Sequence, residues 1–259
     1  MAVRITVLGC SGSVGGPDSP ASGYLLNAPD TPPLVIDFGG GVLGELQRYA
    51  DPGAVSVLLS HLHADHCLDL PGLFVWRRYH PNPPEGKALM FGPSDTWSRL
   101  AAASSPQGGE LDDFNDIFDI RHWIDGRSER FGALEVLPRL VSHPTESYGM
   151  RFTDPSGAVL VYSGDTGVCD SVVELARDAD VFLCEASWTH DPDNRPPHVH
   201  LSGAEAGQVA AKANVRELLL THIPPWTSRE DVIREAKAEF DGPVRAVVCG
   251  ETFEVRRSS

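Results

Sequence analysis

Apolar and polar positions alternate along residues 3–8, as in a strand with one buried face. The chain then breaks into a Gly/Ser/Pro-rich loop over 9–22. Residues 24–26 and 34–37 read as two further strands, and the glycine triplet 39–41 opens a helical stretch over 42–49. A short, wholly apolar run at 55–59 lies between Pro52-Gly53 and a polar cluster, as a buried strand should. Runs at 134–141, 159–162 and 181–184 are of the same kind. The helical period is clearest over 171–177, 204–213 and 231–240, and Ser202-x-x-Glu205 and Thr227-x-x-Glu230 read as capping boxes.

Strands alternate with helices without a linker or a repeat, which predicts one α/β domain over 1–259. The least regular part, 81–130, carries Pro83-Pro84 and a run of acidic residues. It reads as an insert, either a lid facing a substrate or a solvated surface excursion. With 41% apolar residues the chain builds a sizeable core, so disorder of the bulk is excluded. Lys and Arg number 21 against 36 Asp and Glu, a net charge of −15. That balance argues against stable binding along a nucleic-acid backbone. It leaves room for a small phosphorylated substrate, because a bound metal reverses the local field. The five cysteines are odd in number and contain no C-x-x-C, which argues against a disulfide framework. No signal peptide and no membrane span is legible, so the expectation is a soluble, cytoplasmic protein.

One cluster dominates the chemistry. Ser60-His61-Leu62-His63-Ala64-Asp65-His66 follows the buried strand at 55–59 directly, with four metal-ligand side chains inside six residues. Alternate residues at a strand end point the same way, so His61 and His63 can share one metal. The chain then turns, and Asp65 and His66 can face a second. Imidazole and carboxylate donors suit Zn²⁺, with Mn²⁺ or Fe as alternatives. His143, Asp165 and His222 each end another apolar run, and ligands delivered from several strand ends converge on one cleft.

The H-x-H-x-D-H cluster, with His143, Asp165 in Ser-Gly-Asp-Thr, and His222, resembles the metallo-β-lactamase-fold hydrolases over nearly the whole chain. The resemblance implies a four-layer αβ/βα sandwich with a dinuclear metal centre. His61, His63 and His143 would hold one ion, Asp65, His66 and His222 the other, and Asp165 would bridge. Within that superfamily, Glu185-Ala186-Ser187 and His200-Leu201-Ser202 are similar to the phosphodiesterase branch that includes RNase Z. There the matching His contacts the scissile phosphate and the Glu orients it. With Asp65 these make the candidate catalytic groups Asp65, His200 and Glu185. A histidine just ahead of a helix N-terminus is well placed for an anion.

In RNase Z enzymes a tRNA-gripping arm usually lies between the positions matching His143 and Asp165. Here only a strand, the turn 154–157 and another strand fill that interval. The motifs Leu68-Asp69-Leu70-Pro71-Gly72-Leu73-Phe74 and Thr221-His222-Ile223-Pro224-Pro225-Trp226 are similar to an actinobacterial group of 3′,5′-cyclic-nucleotide phosphodiesterases. That resemblance implies two-metal hydrolysis of a small nucleotide, cyclic AMP to 5′-AMP. Trp188 and Trp226 are candidates for stacking on its base. An RNase Z with its arm inside 81–130, an acyl-bond (thioester or lactone) hydrolase and a non-catalytic metal-binding module are the alternatives. Relatives of this kind are often homodimers, although no stretch reads as a dimer seam.

Overall fold

The computed structural model describes residues 3–191 and 193–257. Its strands are β1 (Val3–Gly9), β2 (Gly23–Asn27), β3 (Leu34–Ile36), β4 (Ser56–Leu58), β5 (Ala88–Gly92), β6 (Phe118–His122) and β7 (Glu129–Phe131), then β8 (Leu134–Leu140), β9 (Tyr148–Thr153), β10 (Val159–Tyr162), β11 (Val181–Glu185), β12 (Leu218–Thr221), β13 (Val244–Ala246) and β14 (Thr252–Val255). The helices are α1 (Val42–Leu46), α2 (Ala64–Cys67), α3 (Leu70–Tyr79), α4 (Thr96–Ser104), α5 (Asp170–Ala176), α6 (Gly203–Lys212) and α7 (Arg229–Glu239).

The strands form two mixed sheets of seven, in the orders β14-β1-β2-β3-β4-β5-β6 and β13-β12-β11-β10-β9-β8-β7. Side chains alternate across each strand, and that alternation builds the layers. Leu160 and Tyr162 of β10, Leu183 of β11 and Leu219 of β12 pack between the sheets, with Ile5, Ile36 and Leu58 facing them. Their neighbours Val159, Val161, Phe182 and Leu220 point the other way, onto α5, α6 and α7. On the first sheet, Val35 and Val57 turn outward to the helix side, where Leu46, Leu73 and Leu100 cover them. Three apolar interfaces separate four layers, which is the αβ/βα sandwich expected.

Strands β3 to β6 run parallel, as do β10 to β13, with helices as crossovers. Loops leaving the carboxyl ends of parallel strands are where such folds place ligands. Here those ends are occupied by residues 60–66, 163–167, 186–188 and 222–223.

Several local expectations change. Residues 81–130 contain β5, α4, β6 and the start of β7, so part of the stretch read as an insert belongs to the first sheet and its covering helix, while 81–87, 93–95, 105–117 and 123–128 lack regular structure. The capping box at Ser202 is present, with Glu205 closing it. The second is displaced by one residue: Ser228 caps α7 by accepting from Asp231 N, while Thr227 donates its hydroxyl to the Ser187 carbonyl. Helix α1 stops at Leu46 rather than running to Tyr49. Among the described residues no helix is long and apolar enough to cross a membrane.

Candidate metal centre and its acid

The loop after β4 and the ends of β8, β10 and β12 bring the sequence-expected ligands together. His61, His63, His143 and Asp165 form one group, and Asp65, His66, Asp165 and His222 a second; within each group the ligand atoms lie within 4.8 Å of one another. Asp165 belongs to both, as expected of a bridging residue.

Three ring nitrogens converge in the first group. His61 Nε2 lies 3.0 Å from His63 Nδ1, and His143 Nε2 lies 3.1 Å from that same atom. The far side of two of these rings is already committed. His143 Nδ1–H donates to the Val199 carbonyl (2.8 Å). Ser60 Oγ donates to Asp37 Oδ2 and so accepts from His61 Nδ1–H (3.1 Å). Burial pushes the His61, His63 and His143 imidazoles below their ordinary value, so the rings are neutral. Facing lone pairs at this distance repel unless a cation or proton lies among them.

In the second group His222 Nε2 lies 3.0 Å from Asp65 Oδ2, 3.3 Å from Asp165 Oδ2 and 3.2 Å from His66 Nε2. Asp165 Oδ1 is buried with no hydrogen-bond partner, 3.2 Å from His66 Nε2. Burial acts to raise the Asp165 carboxyl, but the surrounding histidines hold it well below the usual carboxylate range. Asp65 is depressed likewise, by hydrogen bonds from His222 and His66 against the effect of burial. His66 moves oppositely. Burial lowers it, yet Asp165 and Asp37 on its two sides raise it well above the ordinary histidine value. A cation entering this group displaces that proton. The orphaned carboxylate oxygen, the facing imidazoles and the all-His/Asp donor set fit divalent metal ions.

Supporting residues fix these ligands. Asp37, wholly buried at the end of β3, accepts from Ser60 N (2.7 Å), Ser60 Oγ (2.8 Å), Tyr162 Oη (2.8 Å) and His66 Nδ1 (2.7 Å). Ser187 Oγ contacts His222 Nδ1 at 2.8 Å and Glu185 Oε2 at 2.9 Å. Neither was singled out from sequence. Asp37 ends an apolar run just as His143 and Asp165 do, so the same strand-end rule would have found it. Ser187 stands in the motif Glu185-Ala186-Ser187, but nothing local to it points to His222 as its partner. Gly12 lets the 9–22 loop reach the site: a Cβ there would stand 2.3 Å from the His222 carbonyl oxygen. Next to it, Ser13 N donates to Asp65 Oδ2. His222 itself has φ +56°, a left-handed conformation that costs about 1 kcal/mol or more and turns the ring off the strand end.

The candidate acid stands beside this cage. His200 Nδ1 lies 3.1 Å from Glu185 Oε1 and 3.8 Å from Asp165 Oδ2. Glu185 is fully buried at the end of β11, where Thr166 N–H also donates to it (2.8 Å). Burial lowers the His200 imidazole, but the Glu185 carboxylate outweighs it and pushes the pKa up to about 9. Trp188 meets His200 edge-on at 5.2 Å between centroids, and Trp226 is exposed on the loop beyond His222. His190 holds Ser202 Oγ at 2.9 Å, and His198 belongs to the loop beside His200.

The model of the β-lactamase superfamily domain matches residues 34–223, and the chain belongs to that family. Together with the cage of His and Asp donors, this makes it a metal-dependent hydrolase of the superfamily. It is 79% identical over 254 residues to an "uncharacterized protein" of Mycobacterium leprae, spanning 98% of this chain and 89% of that one. The probable metallo-hydrolase YhfI of Bacillus subtilis is 29% identical, over 97% of this chain and 100% of its own. YhfI's crystal structure superposes with a TM-score of 0.87 at 26% identity, covering 98% of this chain and 100% of YhfI. A ribonuclease Z of Haloferax volcanii is 28% identical over 98% of this chain and 96% of its own.

Proposed function

We propose that this hydrolase is a phosphodiesterase acting on 3′,5′-cyclic nucleotides, cyclic AMP foremost, and that it breaks the P–O3′ bond to release 5′-AMP. The observation that carries this is the His200–Glu185 pair: an imidazole held protonated by a buried carboxylate, 3.8 Å from the shared ligand Asp165. An acid there suits a leaving alkoxide such as ribose O3′. Two divalent ions, with Zn²⁺ as the expected metal, would lower the pKa of a water and offset charge on the phosphoryl oxygens when bound. The chain's own residues orient the rest. His200 delivers a proton to O3′ from the ring nitrogen not bonded to Glu185, Glu185 accepts from Nδ1–H and so favours the protonated ring between turnovers, and Thr166 N–H anchors Glu185.

Substrate size follows from what the loops lack. Between His143 and Asp165 the chain forms β9, a tight turn and β10, paired directly in one sheet with no arm. With a net charge of −15, that favours a small nucleotide over a tRNA. The ribonuclease Z likeness supports tRNA 3′-processing as a second reading. One metal-loaded preparation assayed on cyclic AMP and on a precursor tRNA separates the two, with Asp165→Ala as control. Release of 5′-AMP that vanishes in the control is expected. Cleavage of the tRNA alone would overturn the proposal.

A further inference from the structure

Two separate cavities adjoin the cage. One, of about 310 Å³, is walled by Gly167, Val168, Arg195, Pro197, His198 and His200. The other, also about 310 Å³, is walled by Leu62, Ser94, Asp95, Arg99, Thr145 and Glu146. They have no wall residue in common. His143 links them: its Nδ1–H is held by Val199, in the loop that walls the first cavity, and Thr145, two residues further on, walls the second. Leu62 stands in the chain between the cage residues His61 and His63.

The stereochemistry of the substrate decides what each cavity can hold. A 3′,5′-cyclic nucleotide carries both ester oxygens on one ribose, so its phosphorus bears a single nucleoside. With O3′ directed at His200, that nucleoside fills the His200 cavity, and nothing remains for the second. A linear 3′,5′-diester presents the same P–O3′ bond, but its O5′ belongs to another nucleoside.

The second cavity is lined for such a group. Arg99 is exposed and, among the described residues, forms no ion pair. Its one hydrogen bond here is from Nη2 to the Leu62 carbonyl at 3.3 Å. Free guanidinium donors therefore remain beside the cage, in a chain that is acidic overall. Glu146 on the same cavity wall accepts from Ser94 N (3.1 Å), Ser94 Oγ (2.6 Å) and Tyr148 Oη (2.7 Å). Cationic donors with carboxylate acceptors close by match a nucleoside, which offers base and ribose acceptors together with hydroxyl donors.

We propose that the same site also hydrolyses short linear nucleotide diesters, with the 3′-linked nucleoside in the His200 cavity and the 5′-linked nucleoside in the Arg99 cavity. The inference rests on the phosphodiesterase reading above and deepens it. Water adds across the P–O3′ bond. Its oxygen goes to phosphorus, O3′ departs with the His200 proton, and the proton released by the water restores His200. The 5′-phosphorylated diadenylate pApA thus gives two molecules of 5′-AMP, where cyclic AMP gives one.

The test compares cyclic AMP and pApA on the metal-loaded full chain, on Arg99→Ala, and on Asp95→Trp, which fills the second cavity from an exposed wall position. The wild type is expected to turn over both substrates. Each variant should lower kcat/KM for pApA relative to cyclic AMP by about tenfold or more, chiefly through KM, Arg99→Ala by loss of a charge-assisted hydrogen bond and Asp95→Trp by occupying the space of the second nucleoside. Calorimetry on His200→Ala should show the same selective weakening of pApA binding when Arg99→Ala is added. Turnover of cyclic AMP without pApA, or equal losses on both substrates, overturns the inference. A metal-replete wild type inert to both overturns the phosphodiesterase reading itself.

Discussion

Asp37 has four donors aimed at its two carboxylate oxygens, at a residue whose φ of +57° already carries backbone strain. Its work is positional: it fixes the His66 ring so that Nε2 faces the cage. Replacing it by Asn leaves the ring without its charged partner. Apparent metal affinity in a chelator competition should fall about 10- to 100-fold, the usual cost of losing such support; unchanged affinity would remove Asp37 from the centre. His200 and Glu185 give a second expectation at this scale. His200→Ala should keep its metal content and lose about 10²–10⁴-fold in turnover. The acid form of His200 exists below its pKa and is lost as pH rises through it, which sets an alkaline limb in the rate. Glu185 raises that pKa to about 9, and bound cations draw it lower in wild type and variant alike. In Glu185→Gln the limb therefore moves to lower pH. A pH–rate profile with an unmoved limb would assign the acid elsewhere.

The strand ends explain why so much of the site could be read from sequence. A parallel strand buried on both faces is a short apolar run, so a polar ligand directly after one announces both the strand and its role. His61, Asp165 and His222 follow such runs, whereas His143 follows the antiparallel β8 with its alternating burial, and the structure brings all four together. The outer part of the first sheet gave no such signal. In β6 only Phe118 is buried, and the polar Asp119, Arg121 and His122 of this edge strand read as loop. Its pairing with β5, some thirty residues away, is a non-local fact that no local pattern carries. Ser187 was hidden for a different reason, because its partners His222 and Glu185 come from separate strands. Helix α6 shows the local kind of information at its strongest. Ser202 Oγ accepts from Glu205 N, while Glu205 accepts from Ser202 N at 2.9 Å, and the cap begins two residues after His200. Ser202→Ala should cost about 1–2 kcal/mol, a drop in Tm of roughly 2–8 °C for a domain of this size. Thermal denaturation measures it, and Ser202→Thr should recover most of the loss.

At the scale of the whole molecule, the cage joins two halves that are also held by apolar packing and by a few hydrogen bonds such as Tyr24 Oη–Thr221 Oγ1 (2.6 Å) and Tyr162 Oη–Asp37 Oδ2 (2.8 Å). His61, His63, Asp65 and His66 come from the first sheet, whereas His143, Asp165 and His222 come from the second. Ions bound there would cross-link the sandwich at one edge, where imidazole nitrogens and carboxylate oxygens otherwise crowd within about 3 Å of one another. Metal binding is therefore coupled to folding. A ligand of the native state at a thousand times its Kd stabilises by about 4 kcal/mol. For a chain of this length that corresponds to roughly 8–16 °C in Tm. Chelation of the loaded protein should lower Tm by that order, and readdition of Zn²⁺ should restore it. Asp165→Ala removes the ligand common to both groups, so its Tm should respond weakly to either treatment. An equal chelator response in wild type and Asp165→Ala would mean that the ions bind outside the cage. A large response in wild type alone would tie the stability of the two-sheet body to the residues that carry its chemistry.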